Sequence, residues 1–176
     1  MAGGGAGSRA IIDRNGIHLE RNGRLAKFSM QEVASVAEIQ QLINDWVYEL
    51  DFNHGLSMDT IVTEDCVYTM HSGTRTGRDA IVEAYRQRAE RLTAGGEAMP
   101  PMRHLNANLR VEFRDPDHAA ITFGMAFYTA EGNPAGARHT DASAIADVWM
   151  ECRREDDGHW RISRFESDQP FVRLPG

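Results

Sequence analysis

Residues 102–113 read Met-Arg-His-Leu-Asn-Ala-Asn-Leu-Arg-Val-Glu-Phe, a run in which polar and apolar side chains alternate. Because successive side chains of a strand point to opposite faces, this alternation predicts a strand with one polar and one apolar face. The polar face would carry His104, Asn106, Asn108 and Arg110. The apolar face would carry Leu105, Ala107, Leu109, Val111 and Phe113. The stretch indicates a sheet in the C-terminal half of the chain.

Strand-like segments continue from this run almost to the end of the chain. Apolar, β-branched and aromatic residues dominate the segments, and clusters of Gly, Pro, Asp and Asn separate them. The pattern predicts a four-stranded antiparallel meander. We place its strands at about 103–114, 119–130, 141–154 and 159–167.

A long helix is predicted before the sheet. Ser29 and Glu32 have the spacing of a capping box. Apolar residues then recur three and four positions apart, so the helix should run from about Met30 to about Phe52. Asp51 borders the buried stripe of this helix, where a carboxylate does not fit the local pattern. Mismatches of this kind mark candidate functional positions.

Two shorter helices are predicted between the long helix and the sheet. One covers about Leu56–Val62 and the other about Arg78–Leu92. A strand at Cys66–His71 and a turn over residues 72–78 separate them. Three helices followed by a run of strands indicate an α+β fold.

The length of the chain, 176 residues, favours one domain with one core. We assign that domain to residues 30–176. Residues 1–29 are expected to form a flexible leader, with a small hairpin over Gly16–Leu25 that turns at Asn22-Gly23.

The net charge of the chain indicates which classes of binding partner are disfavoured. The net charge is −7 and the pI is near 5.5. Nucleic acids and acidic membrane surfaces bind clustered basic residues, so neither partner is expected. No apolar run approaches the ~20 residues of a membrane-spanning helix. The N-terminus also lacks the apolar core of a signal peptide, so we expect a cytoplasmic protein.

The two cysteines, Cys66 and Cys152, both fall in apolar, strand-like segments. This placement predicts buried, reduced thiols. The sequence has no CxxC or HExxH spacing for a metal site. It also has no glycine-rich phosphate loop between a strand and a helix. We therefore expect neither a metal ion nor a nucleotide cofactor.

Asp51 and His104 are the candidate catalytic residues. A carboxylate that holds an imidazole makes a general base near neutral pH. A carboxylate at the C-terminal end of a helix lies against the negative end of the dipole, which suggests a compensating partner such as His104. Asp51 would fix the tautomer and leave the other ring nitrogen to face a substrate. The alternative is that both side chains simply face water.

Further residues are candidates for contact with a substrate. Asn106 would share a face with His104. Tyr48 is either a pocket hydroxyl or a surface ring, and His71 could be a second pocket imidazole. Arg164, on the last predicted strand, could stabilise a leaving anion or an enolate.

Three short stretches follow one another in a recognisable order: Glu38–Ile43 leading to Asp51, then Arg103–Phe113, then Gly158–Arg164. In order and spacing they resemble the SnoaL-like and scytalone dehydratase-like family of the nuclear transport factor-like superfamily. The likeness is nearest to cofactor-free lyases such as hexachlorocyclohexane dehydrochlorinase. The resemblance implies a cone-shaped, curved antiparallel sheet wrapped around three N-terminal helices, with an internal pocket.

The resemblance also implies roles for residues. In the family's lyases, an aspartate at the end of the first helix and a histidine on a later strand form a catalytic dyad, and these positions are Asp51 and His104 here. Trp46 stands where some relatives place a pocket tyrosine. Arg164 lies near the position of an arginine on the last strand. Scytalone dehydratase uses a second histidine that has no counterpart in Ile121–Ala130, so a different substrate is expected.

The leading hypothesis is a cofactor-free lyase whose Asp–His dyad takes a proton from a small apolar or aromatic substrate. A polyketide-type cyclase or ketosteroid-type isomerase, in which an aspartate alone is the base, is the second. A non-catalytic ligand-binding protein, or one like the small subunit of a ring-hydroxylating dioxygenase, is the third. A homodimer or homotrimer is expected in each case.

Overall fold

The computed structural model describes residues 9–12, 18–21, 27–70, 72–96, 98–130 and 141–173. Within them lie two α-helices, α1 (Met30–Phe52) and α2 (Arg78–Thr93), and a short 3-10 helix at Met58–Thr60. The strands are β1 (Arg9–Ile12), β2 (His18–Arg21), β3 (Val62–Met70), β4 (Gly73–Thr76), β5 (Met102–Asp115), β6 (His118–Thr129), β7 (Ala144–Arg154) and β8 (Trp160–Val172). Neither helix in the described part of the chain is long and apolar enough to cross a membrane.

Six strands form one curved, open sheet in the order β4-β3-β8-β7-β6-β5. Its inner face packs against α1 and α2 around a shared core. The predicted α+β class is confirmed, and the meander is present as β5 to β8. The prediction of a purely antiparallel sheet is wrong, because β8 returns beside β3 and pairs with it in parallel.

Helix α1 begins and ends where the sequence predicts. Ser29 Oγ accepts the Glu32 N–H at 3.2 Å, and the Glu32 carboxylate accepts the Ser29 N–H at 2.7 Å. Both halves of the predicted capping box are therefore formed. The buried stripe of the helix consists of Ile39, Leu42, Ile43, Trp46 and Leu50. Each side chain of this size stabilises the fold by about 1.5–3 kcal/mol on burial, so the stripe fixes the rotation of α1 on the sheet.

The second predicted helix, over Leu56–Val62, is wrong apart from the 3-10 turn at its centre. The chain leaves α1 through two residues with left-handed backbone, His54 with φ of 61° and Gly55 with φ of 84°. The Glu49 carboxylate then accepts the Ser57 N–H at 2.5 Å. The β-branched residues that follow enter β3 instead of a helix. The structure thus has two α-helices among its described residues, where three helices were expected.

One turn prediction is corrected, and a second lies outside the described residues. The predicted turn over residues 72–78 contains β4, which forms an antiparallel hairpin with β3. Near the N-terminus, β2 pairs with β1 and so with residues that precede it. The predicted hairpin over Gly16–Leu25 stays a prediction, because its turn and its second half fall on residues that the structure does not describe. Asn22 and Gly23 themselves lie outside the described residues.

Strand β5 carries a bulge. Its pairing with β6 shifts between Ala107 and Arg110, and Asn108 has a left-handed φ of 60°. The extra residue reverses the faces of the strand. His104 is turned inward before the bulge, and after it the inward side chains are those of Leu109, Val111 and Phe113. The prediction that His104 and these apolar residues lie on opposite faces is therefore wrong.

Strand β8 carries a second bulge. Cys152 of β7 pairs with Ile162, but the neighbouring Glu151 pairs with Arg164, so Ser163 is the extra residue. Trp160 and Ile162 are buried before the bulge, and Phe165 is buried after it. Simple alternation would place Arg164 on the same face as Ile162. The bulge turns Arg164 to the outer face instead.

Both cysteines lie in the core as free thiols. Burial raises the pKa of Cys66 to about 12 and raises the pKa of Cys152 further. Because the thiolate is the reactive form, these side chains pack as apolar groups. The prediction of buried, reduced thiols is confirmed.

Gly55→Ala should destabilise the protein more than Gly158→Ala does. The two glycines have nearly equal φ angles of 84° and 82°, a conformation that costs other residues about 1–2 kcal/mol. A Cβ on Gly55 would lie 2.4 Å from the Tyr85 ring, whereas a Cβ on Gly158 meets nothing within 4 Å. Chemical denaturation should show an additional loss of about 1–3 kcal/mol for the first variant. Equal losses would contradict the close approach of Gly55 and Tyr85.

Candidate active site

The end of α1 and the start of β5 bring Asp51 and His104 into contact. Oδ1 of Asp51 lies 2.6 Å from Nδ1 of His104, and Oδ2 accepts the backbone N–H of the same residue at 3.0 Å. Asp51 is only 5% exposed. Attachment at both the backbone and the ring sets the position of the imidazole relative to the carboxylate.

The surroundings of Asp51 explain why it needs this partner. A carboxylate loses hydration when it is buried, and the C-terminal end of a helix repels its charge. The two hydrogen bonds from His104 offset these costs. Asp51, whose position at the end of α1 is unfavourable for a carboxylate, is therefore stabilised by His104 on β5.

The hydrogen bond also determines the chemistry of the imidazole. A carboxylate can only accept, so Nδ1 of His104 carries the proton and Nε2 of the neutral ring is free to act as a base. Burial lowers the pKa of His104 below its ordinary value. The hydrogen bond and the charge of Asp51 oppose this shift, while the positive charge of Arg88 adds to it. The ring is therefore neutral at neutral pH.

His104 lines an internal cavity of about 420 Å³ between the two helices and the inner face of the sheet. Its ring stacks on Phe127, with the two ring centroids 4.7 Å apart. Most of the other walls are apolar or aromatic, including Trp46, Leu50, Met102, Met125 and Phe165. A cavity of this size and character suits a small organic molecule.

The structure places two predicted site residues of α1 differently. Trp46 is buried and lines the cavity. Tyr48 is 64% exposed and stacks on Phe52, with ring centroids 4.6 Å apart. The interpretation of Tyr48 as a pocket hydroxyl is therefore wrong, because it lies on the outward side of the helix.

The remaining predicted residues lie outside the cavity or outside the described chain. Asn106 is half-buried and borders a shallow surface pocket beside α1. Arg164 pairs with Glu166 on the outer face of the sheet, with Nε donating to Oε1 at 2.6 Å. The prediction that Arg164 stabilises an anion in the pocket is wrong, because the β8 bulge turns it away. His71 lies outside the described residues.

Two tyrosines line the cavity although the sequence reasoning did not select them. Trp46 Nε1 donates to the Tyr68 hydroxyl at 3.0 Å, and the hydroxyls of Tyr68 and Tyr85 lie 3.1 Å apart. Because an indole only donates, the Tyr68 oxygen accepts from it, and either hydroxyl can donate in the contact between Tyr68 and Tyr85. When Tyr68 donates, the Tyr85 O–H is available to a ligand. Burial raises the pKa of Tyr85 to about 12, so this hydroxyl stays protonated.

Helical spacing is the signal that points to Tyr85 in the sequence. Ile81, Tyr85 and Arg88 follow one another at intervals of four and three on α2, and Ile81 is fully buried. All three therefore share the face that packs on the sheet. His54 is a further cavity residue that the sequence reasoning left in a loop; its Nδ1 is buried with no partner among the described residues.

The described residues contain no group of three or more His, Cys, Asp or Glu side chains placed to hold a metal ion. A family model described as a SnoaL-like domain matches residues 31–166. This chain belongs to the SnoaL-like family. No curated protein matches it.

Solved structures share the fold of this SnoaL-like protein. A structure from Catenulispora acidiphila has a TM-score of 0.66 at 20% identity, covering 80% of this chain and 95% of its own. The hexachlorocyclohexane dehydrochlorinase LinA-type3 from Novosphingobium barchaimii has a TM-score of 0.64 at 21% identity, covering 82% of this chain and 92% of its own. A candidate scytalone dehydratase from Novosphingobium aromaticivorans has a TM-score of 0.57 at 19% identity, covering 81% and 89%. At these identities the likeness establishes the fold.

Asp51→Asn should lower the pKa of His104 in this SnoaL-like protein still further. The amide removes the carboxylate's charge and the strong hydrogen bond, both of which raise the pKa of the ring. In an NMR titration of the ring protons, the wild-type midpoint should lie below the ordinary value of about 6.5. The midpoint of the variant should lie lower again. Asp45→Asn, on the exposed face of the same helix, should not move it; a wild-type midpoint above the ordinary value would contradict the expected environment.

Proposed function

We propose that this protein is a cofactor-free lyase of the dehydratase or dehydrohalogenase type, in which the Asp51–His104 dyad abstracts a carbon-bound proton. The observation that carries the proposal is a buried carboxylate bonded to Nδ1 of an imidazole whose ring lines a cavity. Membership of the SnoaL-like family supports it, since structures of similar fold include a dehydrochlorinase.

The proposed reaction is a β-elimination. Nε2 of His104 takes the proton, and the electrons of the C–H bond form a carbon–carbon double bond. The leaving group departs with its bonding pair, either as a halide or as a hydroxyl that takes a proton from an acid and leaves as water. Asp51 stabilises the imidazolium that forms, as carboxylates do in Asp–His pairs generally.

Tyr85 is the proposed acid of this reaction. Its hydroxyl contacts that of Tyr68, which accepts from Trp46, and Tyr85 borders the cavity. The raised pKa keeps the Tyr85 O–H protonated until the C–O bond breaks. Its proton then passes to the leaving oxygen, and the proton taken up by His104 returns to the tyrosine at the end of turnover.

Isomerisation and cyclisation remain the alternatives, because both begin with proton abstraction. In a ketosteroid-type isomerase or polyketide-type cyclase, the aspartate itself would be the base. Both oxygens of Asp51 are engaged by His104, and the carboxylate is not part of the cavity lining. This arrangement favours His104 as the base. A non-catalytic binding protein would not require the pair at all.

His104→Ala should slow the ring opening of a nitrobenzisoxazole, a probe that loses a carbon-bound proton as its N–O bond breaks. The coloured nitrophenolate product allows the rate to be followed by absorbance. We expect a loss of about 10²–10⁴ in kcat/KM, the range for removal of a general base. Asp51→Asn should also slow the reaction because the tautomer is no longer held.

Matched variants separate the competing interpretations. Tyr48→Phe, on the outer side of α1, should leave the rate unchanged. Loss of activity in Asp51→Asn but not in His104→Ala would indicate an aspartate base and an isomerase-type mechanism. Wild-type rates in both variants would show that the proposal is wrong. With natural-type substrates, Tyr85→Phe should slow loss of water more than loss of a halide.

The assembly and location of the protein stay predictions. A homodimer or homotrimer is expected, and sedimentation velocity of the full chain would distinguish them. The cytoplasm is the expected compartment, which fractionation of cells that express the protein would test.

A further inference from the structure

The cavity that holds His104 is positively charged, although the chain as a whole is acidic. Its described lining includes Arg75 from β4 and Arg88 and Arg91 from α2, and it contains no aspartate or glutamate. The whole chain carries a net charge of −7. A cleft lined by one sign of charge between apolar walls concentrates its potential on whatever occupies it.

None of these three arginines has a carboxylate partner among the described residues. Arg75 donates to the carbonyl oxygen of its neighbour Thr74 at 3.1 Å, and Arg88 lies 4.0 Å from the sulfur of Met102. Arg75 and Arg88 are half-buried, whereas Arg91 is exposed. A half-buried guanidinium loses hydration, and Arg88 gains little from a thioether in return. A bound anion would supply the missing acceptor.

Several arginines outside the cavity pair with carboxylates. Arg86, on the solvent side of α2, contacts Glu83 at 2.6 Å, and Arg153 contacts Asp65 at 2.9 Å. The described lining of the cavity offers no such carboxylate to Arg75, Arg88 or Arg91.

Arg88 also acts on the space that the base occupies. Arg88, His104 and Tyr85 line the same cavity. The positive charge of Arg88 adds to the lowering of the His104 pKa and opposes part of the rise that burial causes in the Tyr85 pKa.

We propose that the cavity binds a carboxylate attached to an apolar or aromatic body, with Arg88 as its main partner and Arg75 and Arg91 beside it. Guanidinium groups bind carboxylates through paired hydrogen bonds, and the aromatic wall at Trp46 and Phe127 takes the ring or chain. Binding of such a ligand does not depend on the proposed lyase activity. Only the role of the ligand as the substrate rests on that proposed function.

A carboxylate next to the reacting carbon fits the proposed elimination. As Nε2 of His104 removes the proton from that carbon, negative charge spreads onto the carboxylate. A guanidinium already paired with the carboxylate stabilises this charge, and the leaving group departs from the adjacent carbon with its bonding electrons.

Calorimetric binding of naphthoate and naphthamide to the full chain tests the inference. The two probes share a ring system, but only naphthoate is charged. The wild type should bind naphthoate about tenfold or more tightly than naphthamide, and this preference should decrease as salt is added. Arg88→Gln should remove most of the preference. Arg88→Lys keeps the charge and should retain part of it, which separates loss of the charge from a general loss of folding.

Two control variants make the outcome decisive. Arg86→Gln removes an arginine from the solvent side of the same helix and should leave the preference unchanged. Equal binding of the two probes by the wild type would overturn the anion site, as would equal effects of the Arg86 and Arg88 variants. His104→Ala should still prefer naphthoate. A persistent preference combined with full activity of His104→Ala would overturn the proposed base and leave the anion site intact.

Discussion

Both oxygens of one buried carboxylate are engaged by one histidine, and the candidate active site depends on this contact. Asp51 joins the last turn of α1 to the first residues of β5 through the ring and the backbone of His104. The contact holds the end of the helix against the sheet at the inner end of the cavity. It also decides which ring nitrogen is free. The same two hydrogen bonds pair a buried charge and orient the imidazole that we propose as the base.

The sequence predicts the parts of this arrangement that depend on local pattern. The capping residues of α1, its apolar stripe and the misplaced carboxylate of Asp51 are all visible within one stretch of the chain. The two β-bulges are not visible, since a bulge depends on how a strand pairs with its neighbour and not on its own alternation. For this reason Arg164 was assigned to the wrong face. The placement of Tyr85 and Arg88 can be predicted from the sequence, because helical spacing puts both on the same face of α2 as Ile81.

Net charge and local charge give different information about this protein. The acidic total bears on large polyanionic partners, which contact a broad surface. A cavity samples only the few side chains that line it, and here those include arginines without acidic neighbours among the described residues. Apolar walls strengthen the effect because they keep water, and so dielectric screening, away from the charges. The acidic net charge would also disfavour the binding of anions at sites outside the cavity.

The bulge at Asn108 divides β5 into two segments with different structural roles. On one side of it, His104 faces the space where a ligand would sit, and on the other, Leu109 and Val111 pack against the core. In a regular strand, the same alternate positions would face inward along the whole length. In β5, the bulge changes which positions face inward. Substitutions around His104 should therefore change the ligand site while the hydrophobic packing beyond the bulge is kept. Such a division would let the ligand site change at little cost to folding.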